Sequence, residues 1–317
     1  MAWILISGLA IIAPPKIFAA DYPTRPITMI IQMAAGGTSD IVARKLADLA
    51  SKDLGQPIIP VNKPGGGGTI GVNEMIQSKA DGYTIGCISL PTVAVIPHLR
   101  KLPYDPLKDI SHICNFCPYD MGLVVRSDSP WKTFEDLIEY SKQNPGKLSY
   151  GTPGPGTINH LSVEMLMRHY NLKWKHVPFS GMAEGTTALL GGHIDLESTP
   201  PGEVMQHIMA GKMRLLIVTT QYRWLQVPDV PTILEKGHKA CLTSYLSLGA
   251  PAGTPEPIRQ KLEAAFKKAM HDPHLKKELE EIFSTRLLFM SGEDYAKFVK
   301  EQFYFYKDFL KSVGMIK

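Results

Sequence analysis

The chain has 317 residues, of which 44% are hydrophobic and 20% are charged. It is therefore long enough for two lobes of average size and has the composition of a folded globular protein. Its formal net charge is only +4, and basic and acidic residues alternate along the helical segments, so it carries no basic footprint for nucleic acid. Four cysteines are too few for a disulfide scaffold of this length.

The N-terminal segment at residues 1–20 is typical of an export signal. An apolar stretch over residues 2–13 is followed by two prolines and by the small residues Ala19 and Ala20. No lysine or arginine precedes the apolar stretch, so a misplaced start or a lipid-free anchor stays open beside cleavage near Ala19 or Ala20. The stretch is shorter than the roughly twenty residues that cross a bilayer, and no later run reaches that length. We expect residues 1–20 to be a signal peptide.

Strand and helix signals alternate over the first part of the chain. A continuous apolar run at residues 27–31 predicts a strand buried on both faces of a parallel sheet. A helix follows, with Asp40 placed to cap its start and Gly55 after its last turn. Further elements are predicted at residues 58–61 (strand), 69–78 (helix) and 84–90 (strand). This order is typical of a doubly wound α/β lobe that binds ligands at the carboxyl ends of its strands.

A second lobe repeats the alternation. A strand is predicted at residues 123–125 and a helix at 133–143, and the strand at 148–150 leads through a glycine turn to a helix at 158–170. Further strands are predicted at residues 176–179, 194–196 and 213–219. The alternation of strands and helices breaks near residues 227–231, and helices then begin near residues 254 and 291.

Two glycine-rich turns, at residues 34–40 and 151–157, each join a strand-like run to a helix-like run. Such a turn leaves the first N–H groups of the helix unpaired at the positive end of its dipole, which favours a carboxylate or a similar anion. In the first turn we expect the N–H groups of Gly37, Thr38 and Ser39 to bind a carboxylate, while Asp40 caps the helix. Taken alone, this turn is better explained as a capped strand-to-helix connection, and its pairing with the second turn is what favours ligand binding.

The second turn predicts a second clamp for the same ligand. It consists of Thr152, Gly156, Thr157 and His160, and the imidazole lies one turn into the helix, where it can point back at the cleft. A packing role at the helix start is the alternative for His160. Because Asn159 stands where a dinucleotide fingerprint has its third glycine, Rossmann-type binding is disfavoured.

Other candidate positions are less specific. The glycines at residues 65–68 lack the lysine and the Ser/Thr pair of a P-loop, so we expect close backbone approach to the ligand, with Gly67 among the contacts. Asp195 is a candidate for holding a ligand amine or a water, or for a turn or hinge hydrogen bond, with Thr199 a weaker candidate beside it. We expect no metal and no cofactor, because His271 and His274 have no further ligands near in sequence.

Several signatures that follow one another in consistent order carry a family resemblance. They lie at residues 35–40, 62–68, 149–161, 188–195, 228–232 and 250–255. Together they resemble the extracytoplasmic solute-binding receptors of tripartite tricarboxylate transporters, also called the Bordetella uptake gene family. The resemblance runs from about Tyr22 to the C-terminus.

The resemblance implies an α/β fold of the type II periplasmic-binding-protein kind, a Venus flytrap of two doubly wound lobes with two crossovers. Lobe 1 would comprise residues 21–115 and 228–317, and lobe 2 residues 116–227. The ligand would be held mostly by backbone N–H groups and ordered water. The chain has Met33 and Ala35 where the family often has an aromatic residue or proline before the first turn, so the compliant Met33 could widen that wall or favour a less polar ligand.

We therefore expect a periplasmic, monomeric, non-enzymatic receptor. It would capture a small carboxylate, whether a di- or tricarboxylate, an aromatic acid or an amino acid, and deliver it to the membrane permease subunits of a tripartite transporter. A ligand-sensing partner of a sensor kinase is one alternative. Another is a thiol oxidoreductase using Cys114 and Cys117, for which buried free thiols and a disulfide both stay open.

Overall fold

The computed structural model describes residues 21–238, 241–242, 244–312 and 314–317. In these ranges the strands form two mixed sheets, one of six strands and one of five. The predicted export signal lies outside the described residues. None of the described helices is long and apolar enough to span a membrane.

The first sheet has the strand order β11-β4-β10-β3-β1-β2, where β1 is Ile27–Ile31, β2 Ile58–Asn62, β3 Thr84–Ser89, β4 Ile110–Pro118, β10 Tyr245–Pro251 and β11 Met290–Ser291. Strand β1 runs parallel to β2 and β3, whereas β10 runs antiparallel to β3 and β4. The predicted parallel core is therefore confirmed. The sequence does not predict β4 and β10, which extend this core into a mixed sheet.

Helices cover both faces of the first sheet. Next to β1 lies α1 (Thr38–Leu54), which buries Val42, Leu46 and Ala50 against the sheet. Its C-cap is Gly55, whose φ of 69° is left-handed. Glycine adopts this conformation without a Cβ penalty, as the sequence predicts. The helices of this lobe are α1 (Thr38–Leu54), α2 (Thr69–Ile76), α3 (Leu90–Ala94), α4 (Ile96–Leu99), α9 (Glu256–Met270), α10 (Pro273–Phe283) and α11 (Gly292–Ser312).

The second sheet has the order β7-β6-β8-β5-β9, where β5 is Gly122–Arg126, β6 Ser149–Thr152, β7 Lys175–Pro178, β8 Leu196–Thr199 and β9 Met213–Val218. Its helices are α5 (Phe134–Gln143), α6 (Ile158–Tyr170), α7 (Met182–Leu190) and α8 (Pro201–Met209). Along β5, Leu123 and Val125 enter one core and Val124 enters the other. Because successive strand residues point to opposite faces, this sheet is covered on both sides.

The chain passes between the sheets twice, after β4 and again between β9 and β10. The predicted boundary at residue 115 falls inside β4, which continues to Pro118. On the return, Ile233 packs into the core of the second lobe, whereas Leu242 packs into that of the first. We therefore propose that lobe 1 comprises residues 21–118 and the chain from about residue 242, with lobe 2 between them.

All four cysteines are free thiols, and three of them are buried in the first sheet. Burial raises the pKa of Cys114 and of Cys117 well above the ordinary thiol value. This agrees with the buried-thiol alternative for the pair. Near His271, Asp272 caps α10 by accepting the N–H of Leu275 at 2.8 Å, and the part of the chain that the structure describes holds no group of three or more potential metal ligands.

Candidate functional site

The first glycine turn carries the N-terminus of α1 to the gap between the lobes. Gly36 has φ of 85°, in the left-handed region that favours glycine. Gly37 is the N-cap and the helix begins at Thr38. A cavity adjoins this turn, and the lobe 1 residues that line it are Met33, Ala34, Ala35, Gly37 and Ser39.

Asp40 is the third residue of α1, not its N-cap. Its carboxylate accepts the N–H of Gly36 at 3.0 Å, the Nε of Arg44 at 2.7 Å and the Nδ2 of Asn62 at 2.9 Å. These three bonds hold the turn in shape and occupy the carboxylate from within lobe 1. Asp40 is accordingly absent from the described residues that line the cavity.

Lobe 2 closes the cavity with the N-terminus of α7. Gly181 is the N-cap of this helix, and Met182 and Ala183 are its first residues; all three line the cavity, as do Pro153 and Tyr119. The space open to water is about 20 Å³, which is room for one or two water molecules. Two helix N-termini from opposite lobes thus face one cavity, and both favour negative charge. The sequence analysis missed α7, although Ser180 and Gly181 after a strand are a helix-start signal.

In the second glycine turn, the predicted clamp residues bind one another. The Nδ1 of His160 accepts the N–H of Gly156 at 3.4 Å, and the hydroxyl of Thr157 caps α6 by accepting the N–H of His160 at 3.4 Å. The hydroxyl of Thr152 is hydrogen-bonded to Nε2 of His176 at 2.6 Å. Burial lowers the pKa of both imidazoles to about 4, so they are neutral at pH 7. None of the four clamp residues lines the cavity described above. Pro153 is the residue of this turn that does line it.

Gly67 and Gly156 lie where the lobes touch. A Cβ at Gly156 would come within 2.7 Å of Cδ1 of Leu99, on the other lobe. A Cβ at Gly67 would lie 2.9 Å from Cδ1 of Ile96 and 3.6 Å from Cγ2 of Thr157. Both glycines therefore permit close approach of the two lobes. Contact of either one with a ligand stays a prediction.

Asp195 does not line this cavity, and its contacts agree with the alternative of a turn or hinge hydrogen bond. Its Oδ2 accepts the N–H and the hydroxyl of Ser149, each at 2.8 Å, at the beginning of β6. The cavity lies at the opposite, carboxyl end of the parallel strands, several residues away. Thr199 does lie at that end of β8, where it is fully buried just before α8.

Glu203 of α8 is a site residue that the sequence analysis missed. Its Oε1 accepts the N–H of Thr38 at 2.9 Å and its Oε2 accepts the Thr38 hydroxyl at 2.5 Å, so it binds the N-terminus of α1 from the other lobe. Burial raises the pKa of Glu203 to about 7, although the bonds from Thr38 oppose the rise. The partners are 165 positions apart, and no local pattern links them.

Two further buried acids surround this contact. Glu197 in β8 accepts the hydroxyl of Thr186 at 3.1 Å with each oxygen, and burial raises its pKa well above the usual value. Burial also raises the pKa of the Tyr119 phenol; the Glu203 carboxylate adds to this rise, and the Ser39 hydroxyl opposes it. Burial thus raises the pKa of all three acidic groups at and near the cavity.

Two α/β lobes that are joined by two crossovers and enclose a cavity at facing helix N-termini define a bilobal solute-binding protein. Residues 42–315 match the model of the tripartite tricarboxylate transporter family receptor, and the chain belongs to this family. A UPF0065 protein in the gbd 5' region of Cupriavidus necator is 40% identical over 312 residues, which cover 98% of this chain and 94% of that protein.

Solved structures agree with this assignment and with the predicted fold class. The periplasmic binding protein BugD superposes with a TM-score of 0.88 at 31% identity, covering 93% of this chain and 100% of that one. Rpa4515 of R. palustris with adipate has a TM-score of 0.87 at 28% identity, covering 93% and 99%. MatC of Rhodopseudomonas palustris with bound malate has a TM-score of 0.84 at 28% identity, covering 90% and 99%.

Proposed function

We propose that this protein is a periplasmic receptor that captures a small carboxylate between its lobes and delivers it, as a monomer, to a tripartite tricarboxylate-type permease. The observation that carries the proposal is the cavity between the N-termini of α1 and α7, which belong to different lobes. A receptor of this kind performs no catalytic step. Ligand binding changes the free-energy difference between its open and closed states, and this change is what the receptor uses to capture its ligand.

The charge around the cavity supports a carboxylate as the ligand. Helix geometry leaves the first N–H groups of α1 and α7 without intrahelical partners, and both dipoles direct their positive ends toward the cavity; of these N–H groups, that of Thr38 is bonded to Glu203. No arginine or lysine is among the described residues that line it. Recognition would therefore depend on backbone N–H groups and on the hydroxyls of Ser39 and Tyr119. A ligand that contacts both lobes would favour closure.

The family relatives support the same class of ligand. The Rhodopseudomonas neighbours hold adipate and malate, which are both carboxylates. The enzymatic alternative finds no support in the thiols, because burial disfavours the thiolate that a thiol oxidoreductase needs.

Thermal unfolding against a panel of acids tests this function. The protein is refolded to remove carried-over ligand and melted with mono-, di- and tricarboxylates, aromatic acids and amino acids. A ligand at about a hundred times its Kd adds about 2.7 kcal/mol of stability, which is several degrees for a chain of this size. We expect one class of acid to give this shift. A flat response to every acid from folded protein would contradict the proposal.

A variant at the α7 N-terminus tests where the acid binds. In Gly181→Val the new side chain would meet Cβ of Ala34 on the other lobe, because even a Cβ there lies 2.8 Å from that atom. We expect this variant to fold and to lose the shift. The control is Ala264→Val on the exposed face of α9, which should keep it. An unchanged shift in Gly181→Val would place the ligand elsewhere.

A further inference from the structure

Glu203 occupies one of the two helix N-termini that face the cavity. Both of its oxygens are engaged by Thr38, the first residue of α1. A Cβ at Gly37 would lie 2.8 Å from Oε1 of Glu203, so the carboxylate is seated against the N-cap itself. The protein thus supplies its own carboxylate at the position where the glycine turn predicts that of a ligand.

Donors that remain line the cavity from both lobes. On lobe 2 they are at the N-terminus of α7, at Gly181, Met182 and Ala183, and on lobe 1 the donor is Ser39, next to Thr38 in α1. The Ser39 hydroxyl is buried and has no hydrogen-bond partner of good geometry, although it lies close enough to Tyr119 to influence its pKa. These groups remain as donors for one ligand carboxylate, and the lobes must part to admit it because the cavity has room for only one or two water molecules.

A second ligand carboxylate would meet like charge. To reach the N-terminus of α1 it would have to displace Glu203 or lie beside it, and two carboxylates that share a site cannot both be ionised without a penalty. A neutral or cationic end of the ligand avoids this penalty.

We propose that Glu203 is a specificity-determining residue, which makes this receptor select ligands with a single carboxylate over dicarboxylates of the same length. The inference rests on the proposed carboxylate-receptor function and narrows its substrate class. Mono-acids and zwitterionic amino acids belong to the favoured class. Dicarboxylates of the kind held by the Rhodopseudomonas neighbours belong to the disfavoured one.

Calorimetric titration with matched acids tests this. The probes are the pairs butanoate and succinate, pentanoate and glutarate, and hexanoate and adipate, whose members differ by one carboxylate. At pH 8, where Glu203 with its pKa of about 7 is largely ionised, we expect the wild type to bind the mono-acid of the tightest pair at least about tenfold more strongly than the di-acid. In Glu203→Gln we expect this preference to fall by at least about fivefold, because Gln still accepts the Thr38 N–H but carries no charge.

Two further variants keep the result interpretable. Glu203→Ala removes the side chain that occupies the N-terminus of α1, so we expect the affinity for the di-acid to increase more than in Glu203→Gln. Glu281→Gln makes the same chemical change on the exposed surface of α10 and should leave the preference of the wild type unchanged. If Glu203→Ala does not fold, as judged by its melting curve, Glu203→Gln carries the test.

The outcomes separate this inference from the function on which it rests. A wild type that binds acids but prefers the di-acid, or whose preference Glu203→Gln leaves unchanged, overturns the role of Glu203 alone. A wild type that binds no acid of either kind, and shows no thermal shift with the wider panel, overturns the receptor function and this inference with it.

Discussion

Thr38 and Glu203 join the two lobes by a pair of hydrogen bonds. The backbone N–H of Thr38 donates to Oε1 at 2.9 Å, and its hydroxyl donates to Oε2 at 2.5 Å. Thr38 begins α1 of lobe 1 and Glu203 lies in the first turn of α8 of lobe 2. The contact therefore exists only when the lobes are together, and it favours the closed arrangement.

Removing the hydroxyl should weaken this contact selectively. Thr38→Val keeps the β-branched shape and the backbone N–H but loses one bond to a carboxylate, which is worth about 1–2 kcal/mol. We expect the free energy of unfolding in urea to fall by that amount. The control is Thr187→Val, whose hydroxyl bonds Ala183 O on the exposed face of α7 and has no partner on lobe 1. Equal losses in both variants would show that the interlobe bond contributes nothing of its own.

An added methyl group at Gly202 should hold the lobes apart. A Cβ there would lie 2.2 Å from Oγ1 and 3.4 Å from Cα of Thr38. We expect Gly202→Ala to lower the affinity for the acid identified in the thermal panel by about tenfold or more, which is about 1.4 kcal/mol. Thr38→Ala in the same chain removes the closest atom and should restore part of the affinity. Unchanged affinity in Gly202→Ala would mean that binding does not need this approach.

The stability of the protein should depend on pH through Glu203. Its pKa is about 7 in the folded protein and about 4.5 ordinarily, so between these values the folded state keeps a proton that the unfolded state has lost. Stability from this group is therefore present below about pH 4.5 and is lost as the pH rises to about 7, by up to about 3 kcal/mol.

The comparison of wild type with Glu203→Gln isolates this effect, because the other groups titrate in both proteins. In urea unfolding at pH 4.5, 6 and 8, the free energy of unfolding of the variant should rise relative to that of the wild type as the pH rises. Glu197 and Tyr119, which interact electrostatically with Glu203, are present in both proteins. A difference that is the same at all three pH values would contradict the raised pKa.

The thiols should differ in reactivity according to burial. Cys87, Cys114 and Cys117 are at most 1% exposed, whereas Cys241 is partly exposed. With dithiobis(nitrobenzoate) at pH 8 we expect Cys241 to react in the native protein and the other three to react only in denaturant. Rapid native labelling of Cys114 or Cys117 would reopen the thiol-enzyme alternative. Cys241→Ser is the control that assigns the fast thiol.

Much of the local structure could be predicted from the sequence. The helix at residues 158–170 and the strand at residues 27–31 have the predicted bounds, and Gly55 ends α1 in the left-handed conformation. These elements are specified by short-range patterns of apolar residues and by the backbone freedom of glycine. Strands β4 and β10 were not predicted, and no local pattern reveals their pairing, which joins segments more than a hundred residues apart.

The sequence predicted the candidate site only in part. The first glycine turn was found because a strand, a turn and a helix start follow one another in sequence, and it does border the cavity. The second turn was found by the same pattern, but its donors bond to each other and to His176. For Asp195 the sequence left a ligand contact and a turn hydrogen bond open, because proximity to a strand does not say which end of that strand the side chain lies near; the structure shows the hydrogen bond to Ser149.

The sequence by itself determined the elements that carry the site, since a glycine turn before a helix requires only neighbouring residues to present free N–H groups. Only the tertiary structure decided what those groups meet. The N-terminus of α7 reaches the cavity, and Glu203 reaches Thr38, through the packing of two lobes that the chain enters at distant points. Hydrogen bonds of this kind depend on distances between lobes, and no local pattern of residues encodes such distances.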